Sequence, residues 1–339
     1  MQDQSYGTPR RARVNRRELI GLFAVAAGLP LAARAQQQPI SVIGFLHAGS
    51  PQSNVKLVPA FRKGLSEAGY VEGRNVTIEY RWAADSDDRL PELAADLVRR
   101  KVAVIATPGT TQAALAAKVA TTTIPIVFST GGDPVALGLV SSFNRPGGNV
   151  TGIVNTSARL AGKRLGLLRD LVPGTTRFAV LVTRNGPLTQ TTLKDLDAEA
   201  PQLGLPMEIL YADAAGEIEA AMTKLAENSG AALMVGPDAL FTNLRAQIVA
   251  LAAQHAVPAV YSVREFAEAG GLLSYGPNFV STYEQVGENA GRILKGEKPS
   301  DLPVMQASKF ELVINLKAAR ALGVEVPDKL LALADEVIE

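Results

Sequence analysis

The sequence predicts two doubly wound α/β lobes, and three of its features lead there. Short β-branched apolar runs alternate with Ala- and Leu-rich segments of helical spacing, the pattern of parallel sheets covered on both faces. Ten such runs fall into two sets of five, divided at the turn Arg145-Pro-Gly-Gly-Asn-Val-Thr-Gly152. Beyond a leader of 35 residues, roughly 300 remain, enough for two domains of about 150 each.

The leader comes first. Arg10, Arg11, Arg13, Arg16 and Arg17 make a positive n-region, Leu19 to Ala32 an apolar stretch, and Ala33-Arg34-Ala35 a small-x-small cleavage site. About 14 apolar residues fall short of the ~20 that span a bilayer, so residues 1–35 read as a cleavable secretory signal. Asn15-Arg16-Arg17-Glu18-Leu19-Ile20 also has the look of a twin-arginine signal, and both export routes stay open. The expected mature protein is periplasmic, with no stable membrane insertion once the signal is cut.

The first five strands are expected at Ile40–Leu46, Val76–Tyr80, Val102–Ala106, Ile124–Phe128 and Val150–Val154. Helices Leu57–Ala68, Leu90–Arg100 and Thr111–Ala120 lie between them. The second five are Phe178–Val182, Met207–Tyr211, Ala231–Val235, Pro258–Tyr261 and Leu272–Tyr275, with helices such as Leu160–Leu171 and Leu244–His255. After the break at Tyr275-Gly-Pro277, a long helix near Thr282–Lys295 should pack back on the first lobe. Gly296 to Pro303 reads as a surface loop, and Asn315–Leu322 and Lys329–Val337 as helices returning to the second lobe. The expected domains are therefore 36–152 plus 278–305, and 153–277 plus about 306–339.

Composition narrows the chemistry. The chain has 34 basic and 33 acidic residues; the leader holds six of the basic and two of the acidic, leaving 28 against 31. A mildly acidic body disfavours nucleic acid and anionic membranes as partners, since both need a concentrated basic face. With no cysteine, disulfides, thiolate metal sites and cysteine nucleophiles are excluded, and two histidines are too few for a multi-His centre. No cofactor is implied. The chain contains no G-x-S-x-G, no G-x-x-x-x-G-K-[ST] and no H-E-x-x-H, and no G-x-G-x-x-G follows its first strand. Binding without catalysis is the expectation; an exported α/β enzyme is the weaker alternative.

In open α/β sheets ligands bind beyond the carboxyl ends of the strands. Here those ends read His47-Ala-Gly-Ser50, Thr107-Pro-Gly-Thr-Thr111, Ser129-Thr-Gly-Gly-Asp-Pro134, Thr183-Arg-Asn-Gly186 and Gly236-Pro-Asp238. Small and hydroxyl residues let a ligand reach the N–H groups at the next helix N-terminus, where the dipole favours a carboxylate. The candidates for contact are Ser50, Thr107, Gly109, Thr110, Thr130, Asp133 and Asn185. Asp238 can pair with a ligand amine through a charge-assisted hydrogen bond, and Tyr261 and Tyr275, with Tyr80 and Trp82, can wall an apolar pocket. Each has a plainer alternative. Thr110 and Asp238 can be helix caps, Asp133-Pro134 an N-cap with Pro at the first helical position, and Ser262-x-x-Glu265 a capping box. The tyrosines can be core, and His255 can sit at a helix C-terminus; His47 can touch ligand from the first loop.

Five longer motifs carry a resemblance. Arg145-Pro-Gly-Gly-Asn-Val-Thr-Gly152, Gly132-Asp-Pro-Val135 with Gly138-Leu-Val140, Ile293-Leu-Lys-Gly-Glu-Lys-Pro299, Phe310-Glu-Leu-Val-Ile-Asn-Leu316 and Ala334-Asp-Glu-Val-Ile338 span nearly the whole mature chain. Together they resemble ABC-transporter substrate-binding proteins of the tryptophan/tyrosine-binding type. The resemblance implies a type I periplasmic-binding-protein fold: two α/β lobes joined by a three-segment hinge, closing on a small ligand. It implies a monomer that delivers an amino acid or another carboxylate to an inner-membrane ABC permease. It also implies that the loop Thr107–Thr111 holds the ligand carboxylate and Asp238 the amine. One position departs from the pattern: relatives commonly have Asn after that Asp, where this chain has Ala239. A periplasmic sensor feeding a chemoreceptor or histidine kinase shares the same features. A transcription-factor sensing domain would need a helix-turn-helix where the leader stands.

Overall fold

The computed structural model describes Met1 and residues 40–339 except 85, 228 and 229, and only the backbone of 200–203. The leader expected over 1–35 lies, past Met1, outside the described residues, and the fold is that of the unit Ile40–Glu339.

The apolar runs become the buried parallel strands that their composition demands. β1 (Ser41–His47), β2 (Val76–Trp82), β3 (Val104–Thr107), β4 (Ile126–Thr130) and β5 (Val150–Val154) lie in the order β2-β1-β3-β4-β5, all parallel. Leu57, Phe61 and Leu65 of α1 (Leu57–Glu67) pack on one face of this sheet. Leu90, Ala94 and Leu97 of α2 (Leu90–Arg99), with Ala113, Ala114 and Ala117 of α3 (Thr111–Ala120), pack on the other.

The second lobe repeats the plan. After α4 (Ala161–Leu171) come β6 (Arg177–Val182), α5 (Thr189–Leu203), β7 (Met207–Tyr211), α6 (Ala215–Ala226) and β8 (Ala231–Val235). Then come α7 (Ala239–Asn243), α8 (Arg245–Gln254), β9 (Ala259–Tyr261), α9 (Arg264–Glu268) and β10 (Leu273–Pro277). The order β7-β6-β8-β9-β10 matches that of the first sheet. Each sheet therefore has a topological switch point, between β1 and β3 and between β6 and β8, where adjacent strands send their connections to opposite faces.

The chain passes between the sheets three times: after β5, between β10 and α10 (Phe279–Leu294), and between β11 (Met305–Gln306) and β12 (Phe310–Asn315). The architecture is that of two doubly wound lobes on a three-segment hinge. α10 packs against α1 as closely as the backbones allow. A Cβ at Gly64 would overlap the Glu284 carbonyl, and one at Gly287 the Phe61 carbonyl, so only glycine fits at these crossing points.

The structure corrects the expected count of ten strands, since thirteen occur among the described residues. β11 adds to the edge of the first sheet beside β5. β12 pairs antiparallel with β10, and β13 (Glu336–Ile338) pairs with β12. Where a helix was expected over Lys329–Val337, α12 (Asp328–Leu333) stops at Ala334 and the chain becomes that edge strand; α11 is Leu316–Ala321. Strands of two or three residues are too short to display a period of two. After β4 the expected N-cap leads to no helix: Asp133 Oδ1 accepts from the N–H groups of Val135 and Ala136, closing a turn. Ser262 is not a cap either; Val263 precedes α9, and Glu265 turns toward the space between the lobes. Among the described residues no helix is long and apolar enough to cross a membrane.

Candidate ligand-binding site

The carboxyl ends of both sheets face one cavity, of about 790 Å³ counting the space open to solvent. From the first lobe His47, Asn54, Gly109, Thr110, Gln112 and Gly131 line it; from the second, Leu188, Asp238, Ala239, Asn243, Val263 and Glu265 do. Asn155 and Ser157 of the first crossover and Phe279 and Tyr283 of α10 complete the wall. The lobes meet around it: Ala239 packs against the first-lobe core, and Lys56 Nζ lies 2.7 Å from Glu268 Oε2.

The first-lobe floor is a chain of hydrogen bonds with one consistent direction. His47 Nδ1 accepts the Gly49 N–H at 2.9 Å, which leaves the ring hydrogen on Nε2. Nε2 therefore donates to Tyr283 Oη at 3.0 Å, and that hydroxyl donates to Asn54 Oδ1 at 2.9 Å. Burial pushes His47 down to about 3, so the ring is neutral at physiological pH. Gly109 lies against this network: its φ is +78°, and a Cβ there would sit 2.5 Å from Tyr283 Oη. Phe279, one turn before Tyr283, presents its ring edge-on at 6.5 Å between centroids.

Beside the floor is a helix start with spare donors. Thr110 is the N-cap residue of α3, but its hydroxyl caps nothing. Thr107 Oγ1 and Thr110 Oγ1 are buried with no hydrogen-bond partner among the described residues. Thr111 Oγ1 is held by Thr130 Oγ1 at 2.9 Å, and the Gly109 N–H donates to Ser129 Oγ at 2.6 Å. The first-turn N–H groups of α3 lack intrahelical acceptors by geometry, and the helix dipole adds positive potential. An anion is what this corner favours.

The second lobe contributes acids. Asp238 both caps and faces the cavity: Oδ1 accepts the Leu240 N–H at 2.9 Å and Oδ2 the Thr183 hydroxyl at 3.0 Å. Burial pushes its carboxyl up to about 6 against the pull of those two bonds. Glu265 is also pushed up by burial, with its own N–H and the charge of Arg245 acting the other way. Its Oε2 is buried without a partner among the described residues.

Of the ten residues expected at the site, the structure brings Gly109, Thr110 and Asp238 together on the cavity wall. Thr107 lies buried below them, Thr130 steadies Thr111, and Ser50 bonds Ser53, which lines the cavity. Asp133 pairs with Arg159 at 3.0 Å and is not on the wall, nor is Asn185. Tyr261 is core, stacked on Phe266 at 4.6 Å, and Tyr275 packs on the second-lobe core while its carbonyl accepts from Arg164 Nε at 2.7 Å. Tyr80 and Trp82 pack in the first-lobe core. Asn54, Gln112, Asn155, Glu265, Phe279 and Tyr283 were not expected. For the last two a signal existed in the sequence: aromatics four apart near the start of a helix that comes after a break.

Known proteins resemble this chain over nearly all of its described length. The model of a family described as ABC transporter substrate binding protein matches residues 40–338. A tyrosine-binding protein of Clostridioides difficile is 27% identical over 274 residues, 80% of this chain and 77% of that protein. The solved ABC domain from Streptococcus pneumonia in complex with L-Trp superposes with a TM-score of 0.80 at 26% identity, covering 88% of this chain and 99% of the other. A conserved domain protein of Vibrio cholerae gives a TM-score of 0.82 at 24% identity, with the same coverage.

Proposed function

The chain belongs to the ABC transporter substrate binding protein family, and on that premise we propose that it captures an amino acid between its lobes and delivers it to an ABC permease. The observation that carries this reading is the pairing, on one cavity wall, of a buried carboxylate with a helix N-terminus of opposite character. The ligand ammonium pairs with Asp238 in a charge-assisted bond. Its carboxylate takes the first-turn N–H groups of α3 and the hydroxyl of Thr110. Phe279 and Tyr283 border its side chain. The tyrosine-binding relative and the L-Trp complex support an amino acid as the class.

Mechanistically, the ligand touches both lobes, so it binds the closed state better than the open one and shifts the hinge equilibrium by that difference. The lobes we assign are 36–152 plus 278–305, and 153–277 plus about 306–339, a division supported by the crossovers after β5, after β10 and after β11. The closed form then docks on the permease outside the cytoplasm, and ATP is hydrolysed elsewhere in the transporter. Family and solved neighbours are binding proteins, so no turnover is expected.

Calorimetry against the twenty amino acids tests this. A micromolar ligand corresponds to about −8 kcal/mol. Asp238→Ala should weaken it more than about tenfold, since the ammonium loses its partner inside a buried site. Unchanged affinity in that variant would remove Asp238 from the ligand contacts.

A further inference from the structure

Asp238 leaves part of the cavity chemistry unused. Glu265 enters the same wall from a different segment: Asp238 comes after β8, whereas Glu265 lies on α9 after β9. Both carboxyl groups are buried, yet they are not equivalent. Asp238 has the Leu240 N–H and the Thr183 hydroxyl; Glu265 Oε2 has no partner among the described residues. A buried acid oxygen left unpaired is costly, so in a native protein it calls for an explanation, and one open to a cavity can take its partner from a bound solute.

No cation of the protein supplies that partner from the wall. Among the described residues, no Lys or Arg lines the cavity, and His47 is fixed as a neutral ring by Gly49 and Tyr283. Arg245 acts on Glu265 only at a distance; its Nη1 donates to the Thr242 carbonyl, and it does not line the cavity. A zwitterionic solute with an uncharged side chain would pair Asp238 and the α3 N-terminus, leaving Glu265 as it is.

We infer that Glu265 is a second anionic anchor, which makes the preferred ligand a basic amino acid with its side-chain ammonium or guanidinium on Glu265 and its α-ammonium on Asp238. This rests on the amino-acid reading of the site and adds the side-chain class to it. All three ligand charges then meet a partner: α3 for the carboxylate, and one acid for each cation. Leu57 and Phe279 line the same cavity and offer apolar surface to the aliphatic stem.

The test is calorimetry on the protein and on Glu265→Gln and Asp238→Asn, with L-arginine, L-lysine, L-ornithine, L-norleucine, L-tyrosine and 1,4-diaminobutane as probes. Gln keeps the shape of Glu and removes its charge. At least one basic amino acid should bind about tenfold or more tighter than norleucine and tyrosine. Glu265→Gln should erase that preference and leave norleucine unchanged or tighter, while Asp238→Asn weakens every amino acid. Tyrosine or norleucine outbinding all three basic amino acids, or a preference that survives Glu265→Gln, overturns the inference and leaves the amino-acid reading intact. Binding of the diamine alone overturns the amino-acid reading but keeps the two acids as a cation site. No binding by any probe overturns the inference, and no binding by any of the twenty amino acids overturns the amino-acid reading as well.

Discussion

Burial pushes the Asp238 carboxyl from its ordinary 3.8 up to about 6, and desolvation outweighs the two hydrogen bonds that stabilise the anion. The raised value acts with opposite signs on the empty and the liganded protein. For the empty protein, a raised carboxyl favours the fold when protonated. That contribution is fully present below 3.8 and is lost as pH rises through about 6. Near neutral pH the charged form costs on the order of 3 kcal/mol, so Asp238→Asn should raise the melting temperature of the unliganded protein there. At pH about 4 the variant should gain little, which a pair of thermal melts will show. For the ligand, only the anion pairs with an ammonium. For norleucine or tyrosine, whose side chains carry no charge for Glu265, affinity should therefore fall about tenfold between pH 7 and pH 5, tracking the ionised fraction, and be flat in Asp238→Asn. His47, at about 3, adds nothing in this window. Asp238 was legible in the sequence as a strand-end acid after Pro237, although the sequence left cavity and helix cap as alternatives and the structure gives it both places. Glu265 was hidden by Ser262, three residues earlier, which imitates a capping box although the helix starts later. Tyr261 and Tyr275 were ambiguous because alternate residues of a strand face opposite ways, and a one-residue error exchanges cavity for core.

The elements that hold the site depend on a buried cation away from it. Arg164 on α4 is fully buried, and no acid lies within its hydrogen-bond reach among the described residues. Its Nε donates to the Tyr275 carbonyl at 2.7 Å, and its Nη atoms donate to the Ser157 carbonyl and hydroxyl at 3.0 Å. Burial lowers it to about 9, still protonated at neutral pH. Ser157 lies on the first crossover and Tyr275 just before the second, so one guanidinium ties two hinge segments to the second lobe. Arg164→Met keeps the volume and strands two buried carbonyls, at about 1–3 kcal/mol each. The melting temperature should fall by about 5 °C or more. Arg164→Lys should recover little of it, because one ammonium cannot reproduce the planar fork; full recovery by Lys would show that charge alone matters. The strand–helix alternation of both lobes was readable because long apolar runs have few other solutions. Arg164 was not, since nothing in Lys163-Arg164-Leu165 distinguishes a buried Arg from a solvated one. β12 escaped the strand pattern as well, since a strand that turns back antiparallel at a hinge breaks the alternation that identifies the others.

At the scale of the whole molecule, the question is what drives the lobes together. One direct link is the Lys56–Glu268 pair, whose side chains are 70% and 26% exposed. An exposed pair of this kind is worth about 0–1 kcal/mol, screened further by salt, so it cannot set the balance between open and closed states. On the proposed binding mode the cavity can, because ligand bonds to α3 and Asp238 would form together only when the lobes meet, each away from water. Moving a hinge from mostly open to mostly closed takes a differential affinity of several kcal/mol, which a few buried charge-assisted bonds supply and a surface pair does not. Lys56→Glu should therefore change ligand affinity by less than about fivefold. In small-angle scattering it should still contract on addition of saturating ligand. Asp238→Asn, with the surface pair intact, should contract far less at the same ligand concentration. Loss of contraction in Lys56→Glu with retention in Asp238→Asn would place the driving force on the rim, and the cavity would then be the passenger of closure.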